Sequence, residues 1–181
     1  MVAELVAGGM LRVPMSWERW QALGETHHHE YYDGLVTVNP PTIRHSILTT
    51  RLGAALLLAC PPGHAVLTEA GWAPADRTVF VPDLMVARVD RLDRDLLRQA
   101  PLVVVEISSP STRSEDLGRK LAAYAAGGAE SYWVVDPDAD SVTVRGLGAS
   151  GYSVQASATG PDQLRLTHPF GISLDLSDLF A

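Results

Sequence analysis

Residues 101–136 read PLVVVEISSPSTRSEDLGRKLAAYAAGGAESYWVVD. Leu102 to Ile107 is a short, nearly continuous, valine-rich apolar run, the pattern of a strand covered on both faces. Ser109-Pro110 ends it, because proline has no N–H for the next ladder bond. A helix follows. Ser111 or Ser114 caps it, Glu115 and Asp116 suit the positive end of its dipole, and Gly127-Gly128 closes it. Ser131–Asp136 is a second strand. A strand–helix–strand unit of this length predicts a parallel pair joined by a right-handed crossover.

Two charged residues break the apolar pattern. Side chains alternate across a strand, so Val104, Glu106 and Ser108 share one face. The helix carries its apolar stripe on Leu117, Leu121 and Tyr124. Lys120, three residues from Leu117 and four from Tyr124, lies inside that stripe. A carboxylate in such a setting must be paired, protonated or bound to a cation. A lysine there must snorkel to solvent or meet an anion, and the adjacent strand offers Glu106.

The chain has 181 residues, enough for a single domain, expected over 14–181 behind a loose N-terminal arm over 1–13. With 46% hydrophobic and 19% charged residues it belongs to the ordinary soluble globular class rather than to disordered or membrane chains. A lone cysteine, Cys60, excludes an internal disulfide framework and fits a reducing compartment. No signal-peptide pattern is present, and no apolar run approaches the roughly 20 residues that span a bilayer. A cytoplasmic location with no membrane partner is therefore expected. The net charge of −7 opposes broad electrostatic binding of a nucleic-acid backbone but leaves room for a local basic cleft.

Working outward, Ser16 caps a short helix, Trp17–Leu23, which Gly24 ends. His27-His28-His29 reads as a surface cluster, since neighbours on a strand alternate faces and cannot all meet one metal. Glu30–Tyr32, Asp33-Gly34 and Leu35–Val38 form a β-hairpin. After Pro40-Pro41, Thr42 caps a helix to about Ala59 with Ile43, Ile47, Leu48, Leu52, Leu56 and Ala59 on one stripe. Cys60 at its end reads as a packed small hydrophobe.

Ala65–Trp72 and Thr78–Val89 read as two strands. In the second, Val79, Val81, Asp83, Met85 and Ala87 share a face, so Asp83 is another carboxylate at a core-facing position. Pro82 marks an edge or bulge that re-aims it. Asp90–Gln99 is a surface loop or short helix. Ser141–Arg145 and Tyr152–Ala158 pair antiparallel, and Phe170–Phe180 is a closing strand or short helix.

Asp83 and Glu106 on neighbouring strands, with a strand carbonyl such as that of Ile107, would make an oxygen-rich site. Such donors suit Mg²⁺ or Mn²⁺ rather than zinc. A bound metal activates water and stabilises charge on a phosphate, and Lys120 nearby would position that water or neutralise the developing charge. The alternative is a buried structural ion-pair network.

Pro82-Asp83, Glu106-Ile107-Ser108-Ser109-Pro110-Ser111, Asp116, Lys120, Tyr124 and Glu130-Ser131-Tyr132-Trp133 together resemble the PD-(D/E)XK nuclease superfamily. The closer similarity is to its bacterial family of restriction-endonuclease-like proteins, which Glu30, Asp33-Gly34, Pro40 and His45 with its leucine-rich helix also resemble. The resemblance runs from about residue 14 to the C-terminus. It implies an α/β restriction-endonuclease-like fold, a mixed central sheet flanked by helices. It further implies Asp83 and Glu106 as metal ligands, Mg²⁺ or Mn²⁺ as cofactor, and DNA phosphodiester hydrolysis.

One position departs from the pattern. The superfamily places a lysine two residues after the glutamate, where this chain has Ser108. The resemblance implies that Lys120 on the following helix takes its place, the same residue that the stripe singles out. Glu30 is either a third carboxylate of the site or a surface strand residue. His45 is either a satisfied structural histidine, the favoured reading, or a catalytic one. The expected partner is DNA. A homodimer through exposed aromatics at Tyr132-Trp133 stands against their burial in the core. The alternative to an endonuclease is a catalytically inactive nuclease-fold binding or structural module.

Overall fold

A computed structural model describes residues 4–5, 10–24 and 29–181. In chain order its elements are β1 (Glu4–Leu5), β2 (Leu11–Pro14), α1 (Trp17–Gln21), β3 (Glu30–Tyr32), β4 (Leu35–Val38), α2 (Ile43–Ala59), β5 (His64–Thr68), β6 (Trp72–Ala75), β7 (Thr78–Phe80) and β8 (Leu84–Arg88). After a 3₁₀ turn at Val89–Arg91 come β9 (Val103–Ile107), α3 (Arg113–Asp116), α4 (Arg119–Ala126), β10 (Ser131–Asp136), β11 (Ser141–Gly148), β12 (Gly151–Thr159), β13 (Gln163–Leu166), β14 (Ile172–Asp175) and α5 (Leu176–Phe180).

Among the described residues the strands form two six-stranded sheets and a two-stranded one. The central sheet runs β12-β11-β10-β9-β8-β5. Its one parallel pair is β9 with β10, in register from Ser131 opposite Val103 to Val135 opposite Ile107, as the strand–helix–strand reading expects. Its other pairs are antiparallel, so the sheet is mixed. The second sheet, β1-β2-β4-β3-β7-β6, is antiparallel throughout.

Pro82 is where the chain changes sheets. The single strand expected over Thr78–Val89 is two strands. β7 pairs in the second sheet and β8 in the central one, with Val81-Pro82-Asp83 outside both ladders. Proline cannot donate to a ladder, so the break falls there.

The central sheet is covered on both faces, which is why its inner strands are apolar throughout. Leu84, Val86, Val103, Val105, Ile107, Trp133 and Val135 pack against Leu48, Leu52 and Leu56 of α2 and against α5. Met85, Ala87, Val104, Tyr132 and Val134 pack on the other side with Trp72, Phe80 and Tyr124. Tyr132 and Trp133 are thus core residues. By alternation Glu106, two residues after Val104, belongs to this second face, while Asp83 sits just ahead of β8, outside the ladder.

Several local expectations change. Leu11, Arg12 and Val13, expected in the loose arm, belong with Pro14 to a strand paired with Leu35–Val38. The helix expected behind a Ser111 or Ser114 cap is two helices, the first starting at Arg113 with Thr112 in the cap position. Gly118 separates them in a conformation where a Cβ would sit 2.8 Å from the Ser114 carbonyl oxygen. Leu117, expected in the apolar stripe, is consequently 45% exposed. α1 ends at Gln21, two residues short of the expected Leu23. Ile43 and Ile47 lie outside the buried stripe of α2, at 83% and 43% exposure, because that stripe begins at Leu48, where the sheet begins beneath it. Of the three adjacent histidines, His27 and His28 lie outside the described residues. Among the described residues no helix is long and apolar enough to cross a membrane.

The seam between α2 and the central sheet carries stability. Leu52→Ala is expected to cost about 2–5 kcal/mol in urea unfolding, from lost burial plus the cavity left behind. Ile43→Ala, at an exposed position, is expected to stay within about 0.5 kcal/mol of the parent.

Candidate active site

Four local structures bring charged side chains to one place. Asp33 and Gly34, at φ of 50° and 74°, close the β3–β4 hairpin that starts at Glu30. Thr42 Oγ1 accepts a hydrogen bond from the His45 amide at 3.2 Å and fixes the first turn of α2, on which His45 sits. The sheet change at Pro82 leaves Asp83 beside the end of β9. The restart at Gly118 puts Lys120 in the first turn of α4.

Lys120 is the centre. Its Nζ lies 2.8 Å from Glu30 Oε1, 3.0 Å from Glu106 Oε1 and 3.9 Å from Asp116 Oδ1. The lysine and Glu106 side chains are only 8% and 5% exposed. The Tyr124 hydroxyl donates to Glu106 Oε1 at 2.5 Å. The Ser108 hydroxyl donates to Asp116 Oδ2 at 2.8 Å, so the residue standing where the superfamily has lysine holds an acid in place. Glu30 Oε1 also accepts from the Val81 amide at 3.3 Å, which ties the hairpin to the segment that changes sheets.

Asp83 is held from two sides. Its Oδ2 accepts from the Ile107 amide at 2.6 Å, one residue beyond Glu106, and its Oδ1 lies 3.0 Å from His45 Nε2. Ile107 therefore meets Asp83 through its amide. Asp83, Glu106, Glu30, Lys120 and His45 line a single cleft of about 360 Å³, together with Glu69, Glu115 and Arg119.

Acids outnumber bases at this depth. Burial pushes Glu106 well above the usual carboxylate range. Lys120 opposes that shift, while Asp83, Asp116 and Glu30 reinforce it. Asp116 is raised by burial too, against Lys120 and the Ser108 and Thr112 hydroxyls. Burial favours the neutral form of Lys120, but Glu106, Glu30 and Asp116 outweigh it and hold the ammonium well above its ordinary value. His45 is likewise raised, because Asp83, with Glu69 and Asp116 behind it, overcomes burial. The Lys120 ammonium is thus held in its charged form beside two carboxylates, Glu106 and Asp116, that burial pushes toward neutrality.

All four site residues singled out from the sequence, Asp83, Glu106, Lys120 and Glu30, line this one cleft. Asp116 and Tyr124 were legible only as a dipole residue, a stripe residue and parts of a resemblance. Glu69 carried no signal, since it follows β5 in a turn with φ of 48°.

Among the described residues no three His, Cys, Asp or Glu side chains are grouped to hold a metal ion by themselves. A cation here would rest on the two carboxylates Asp83 and Glu106. That donor set fits Mg²⁺ or Mn²⁺, because Mg²⁺ keeps several waters and commonly takes only one or two protein carboxylates.

A mixed sheet with helices against it, and acids and a lysine at the end of its central strands, defines a restriction-endonuclease-like α/β protein. The model of the Uma2 family, described as "Putative restriction endonuclease", matches residues 16–177, and the chain belongs to that family. A crystal structure titled as a "putative nuclease belonging to DUF820" from Anabaena variabilis is similar in fold. Its TM-score is 0.73 at 22% identity, covering 92% of this chain and 98% of that one. No curated protein sequence matches the chain.

A buried charge kept for function should weaken the fold when no cation is present. Glu106→Gln retains an acceptor for Tyr124 and removes the charge, so it is expected to raise stability in chelating buffer by about 1 kcal/mol, read as a higher thermal midpoint. A lower midpoint would mean that the attraction to Lys120 outweighs the desolvation of the carboxylate.

Proposed function

We propose that this protein is a metal-dependent endonuclease that hydrolyses DNA phosphodiester bonds with Mg²⁺ or Mn²⁺. The observation that carries the reading is the Lys120 ammonium, buried within 3.0 Å of both Glu30 and Glu106 in a cleft that also holds Asp83. Family membership supports the same reaction class.

Asp83 and Glu106 would hold the cation. When bound, it would lower the pKa of a coordinated water and stabilise charge on the phosphate. Lys120 is kept protonated by three acids, so it serves as a fixed positive charge and hydrogen-bond donor rather than as a base. In that role it orients the attacking water and neutralises charge developing on the phosphate. Glu30 positions Lys120, and His45 and the Ile107 amide position Asp83. The surplus of carboxylates over cations also favours this reading, because a divalent ion would relieve it.

One observation favours a second reading, an inactive nuclease-fold binding or structural module. Both Asp83 oxygens already have protein partners. A ligand to Mg²⁺ would have to give up or share one of them.

Incubation with single- and double-stranded DNA tests the proposal. The wild-type chain is expected to cleave with Mg²⁺ or Mn²⁺ and not in chelator. Lys120→Ala and Asp83→Asn are each expected to lower the rate about 10²–10³-fold, with unchanged circular dichroism. A wild-type chain inert on varied DNA supports the second reading. Cleavage indifferent to Lys120→Ala contradicts the role given to that residue.

A further inference from the structure

On the wall of the cleft Arg119 shares the Glu115 carboxylate with Arg12. Arg12 Nη2 lies 2.6 Å from Glu115 Oε1, and Arg119 Nε lies 2.7 Å from Glu115 Oε2. Two guanidiniums on one acid leave one positive charge unbalanced. The second contact is close but misaligned: neither Arg119 Nε nor Glu115 Oε2 makes a hydrogen bond, and Arg12 Nε makes none either. The Arg119 guanidinium is stacked 4.6 Å above the ring of Tyr32, whose other neighbour is Phe80 at 5.7 Å. Stacking and charge therefore hold Arg119 in place, with its Nε enclosed against Glu115.

Two other arginines meet acids in full. Arg113 faces two acids, Asp136 at 2.6 Å and Asp138 at 3.8 Å, and Arg44 is paired with Asp140 at 2.8 Å. The cationic surplus falls at Arg12 and Arg119, and Arg119 and Glu115 line the same cleft as Asp83 and Glu106. That location matters electrostatically. A DNA strand crossing the cleft presents one phosphate to the proposed cation. Its neighbour would otherwise face the carboxylates of Glu30 and Glu115.

On the nuclease reading given above, we propose that Arg119, supported by Arg12, binds the DNA backbone phosphate next to the one being cleaved. A planar guanidinium fork matches two phosphate oxygens, which an ammonium does not. Tyr32 sets the plane of that fork before substrate arrives. Glu115 acts as a counter-ion that the phosphate partly displaces. The contact reads backbone charge, so it carries no base preference.

The test is fluorescence anisotropy of a fluorescein-labelled DNA duplex and single strand in Ca²⁺ across a salt series, beside cleavage in Mn²⁺. Arg119→Met keeps the apolar stem and removes the charge. It is expected to bind about tenfold more weakly than wild type. Its slope of log affinity against log salt should be smaller by about one. KM should rise by more than kcat falls. Arg119→Lys should recover the salt slope and only part of the affinity, and Glu115→Gln, which frees both arginines, should bind more tightly than wild type. The Mn²⁺-induced rise in thermal midpoint should survive in Arg119→Met. A merely structural role would lower the midpoint but leave affinity per folded molecule and the salt slope unchanged, and that result overturns the inference. Wild-type cleavage with unaltered Arg119→Met binding overturns this inference alone. Wild type that neither binds nor cleaves DNA overturns the nuclease reading with it.

Discussion

An ammonium group buried among carboxylates sets the terms for this molecule. Taking an ion out of water costs several kcal/mol even after the protein relaxes, so Lys120 is tenable only if anions meet it at short range. Three do: Glu30 from the second sheet, Glu106 from the central sheet and Asp116 from the short helix before α4. Each comes from a different element. The ion cluster therefore joins the two sheets and the crossover helices at one point. It remains uneven, with more acids than cations, and the unevenness is what a divalent ion would correct.

The rest of the fold can be understood as the means of holding that cluster open to a cleft. β9 is buried on both faces up to Ile107, so Glu106 meets solvent only through the cleft and finds its partners inside. Pro82 removes one ladder donor and releases Asp83 from both sheets, which lets its carboxylate reach the Ile107 amide and His45. Thr42 fixes the start of α2 and with it His45. The Thr42 cap is a stabilising choice; the buried acid and the broken strand are not. Buried charge, a broken strand and misaligned arginines are local departures from good packing, and such departures concentrate where a protein acts.

Much of this was legible in the sequence, for a physical reason. Glu106 and Lys120 interrupt two strong periodic patterns, and periodicity is the most dependable signal that a single chain offers. Asp83 is legible by the same logic, although it lies between two strands where the pattern reads as one. Register-level facts were not legible. Gly118 splits the helix because of a close approach to Ser114, which no spacing reveals. Ile43, Ile47 and Leu117 fit an apolar stripe but find nothing to cover them, since a stripe says which residues share a face and not how far the partner extends. The contact of Glu30 with Val81 spans 51 positions and that of Arg12 with Glu115 spans 103. Pairs so distant are set by sheet order. Glu30 consequently stayed undecided between site and surface, and Arg12 lay in what read as a loose arm.

The central claim is that Asp83 and Glu106 hold one divalent cation beside a buried lysine. It is tested most directly by anomalous diffraction from crystals of the protein equilibrated with Mn²⁺. The account predicts a single strong manganese peak in contact with both carboxylates, with Lys120 Nζ close by. Manganese elsewhere on the molecule, or well-ordered carboxylates with no peak between them at saturating Mn²⁺, would contradict it.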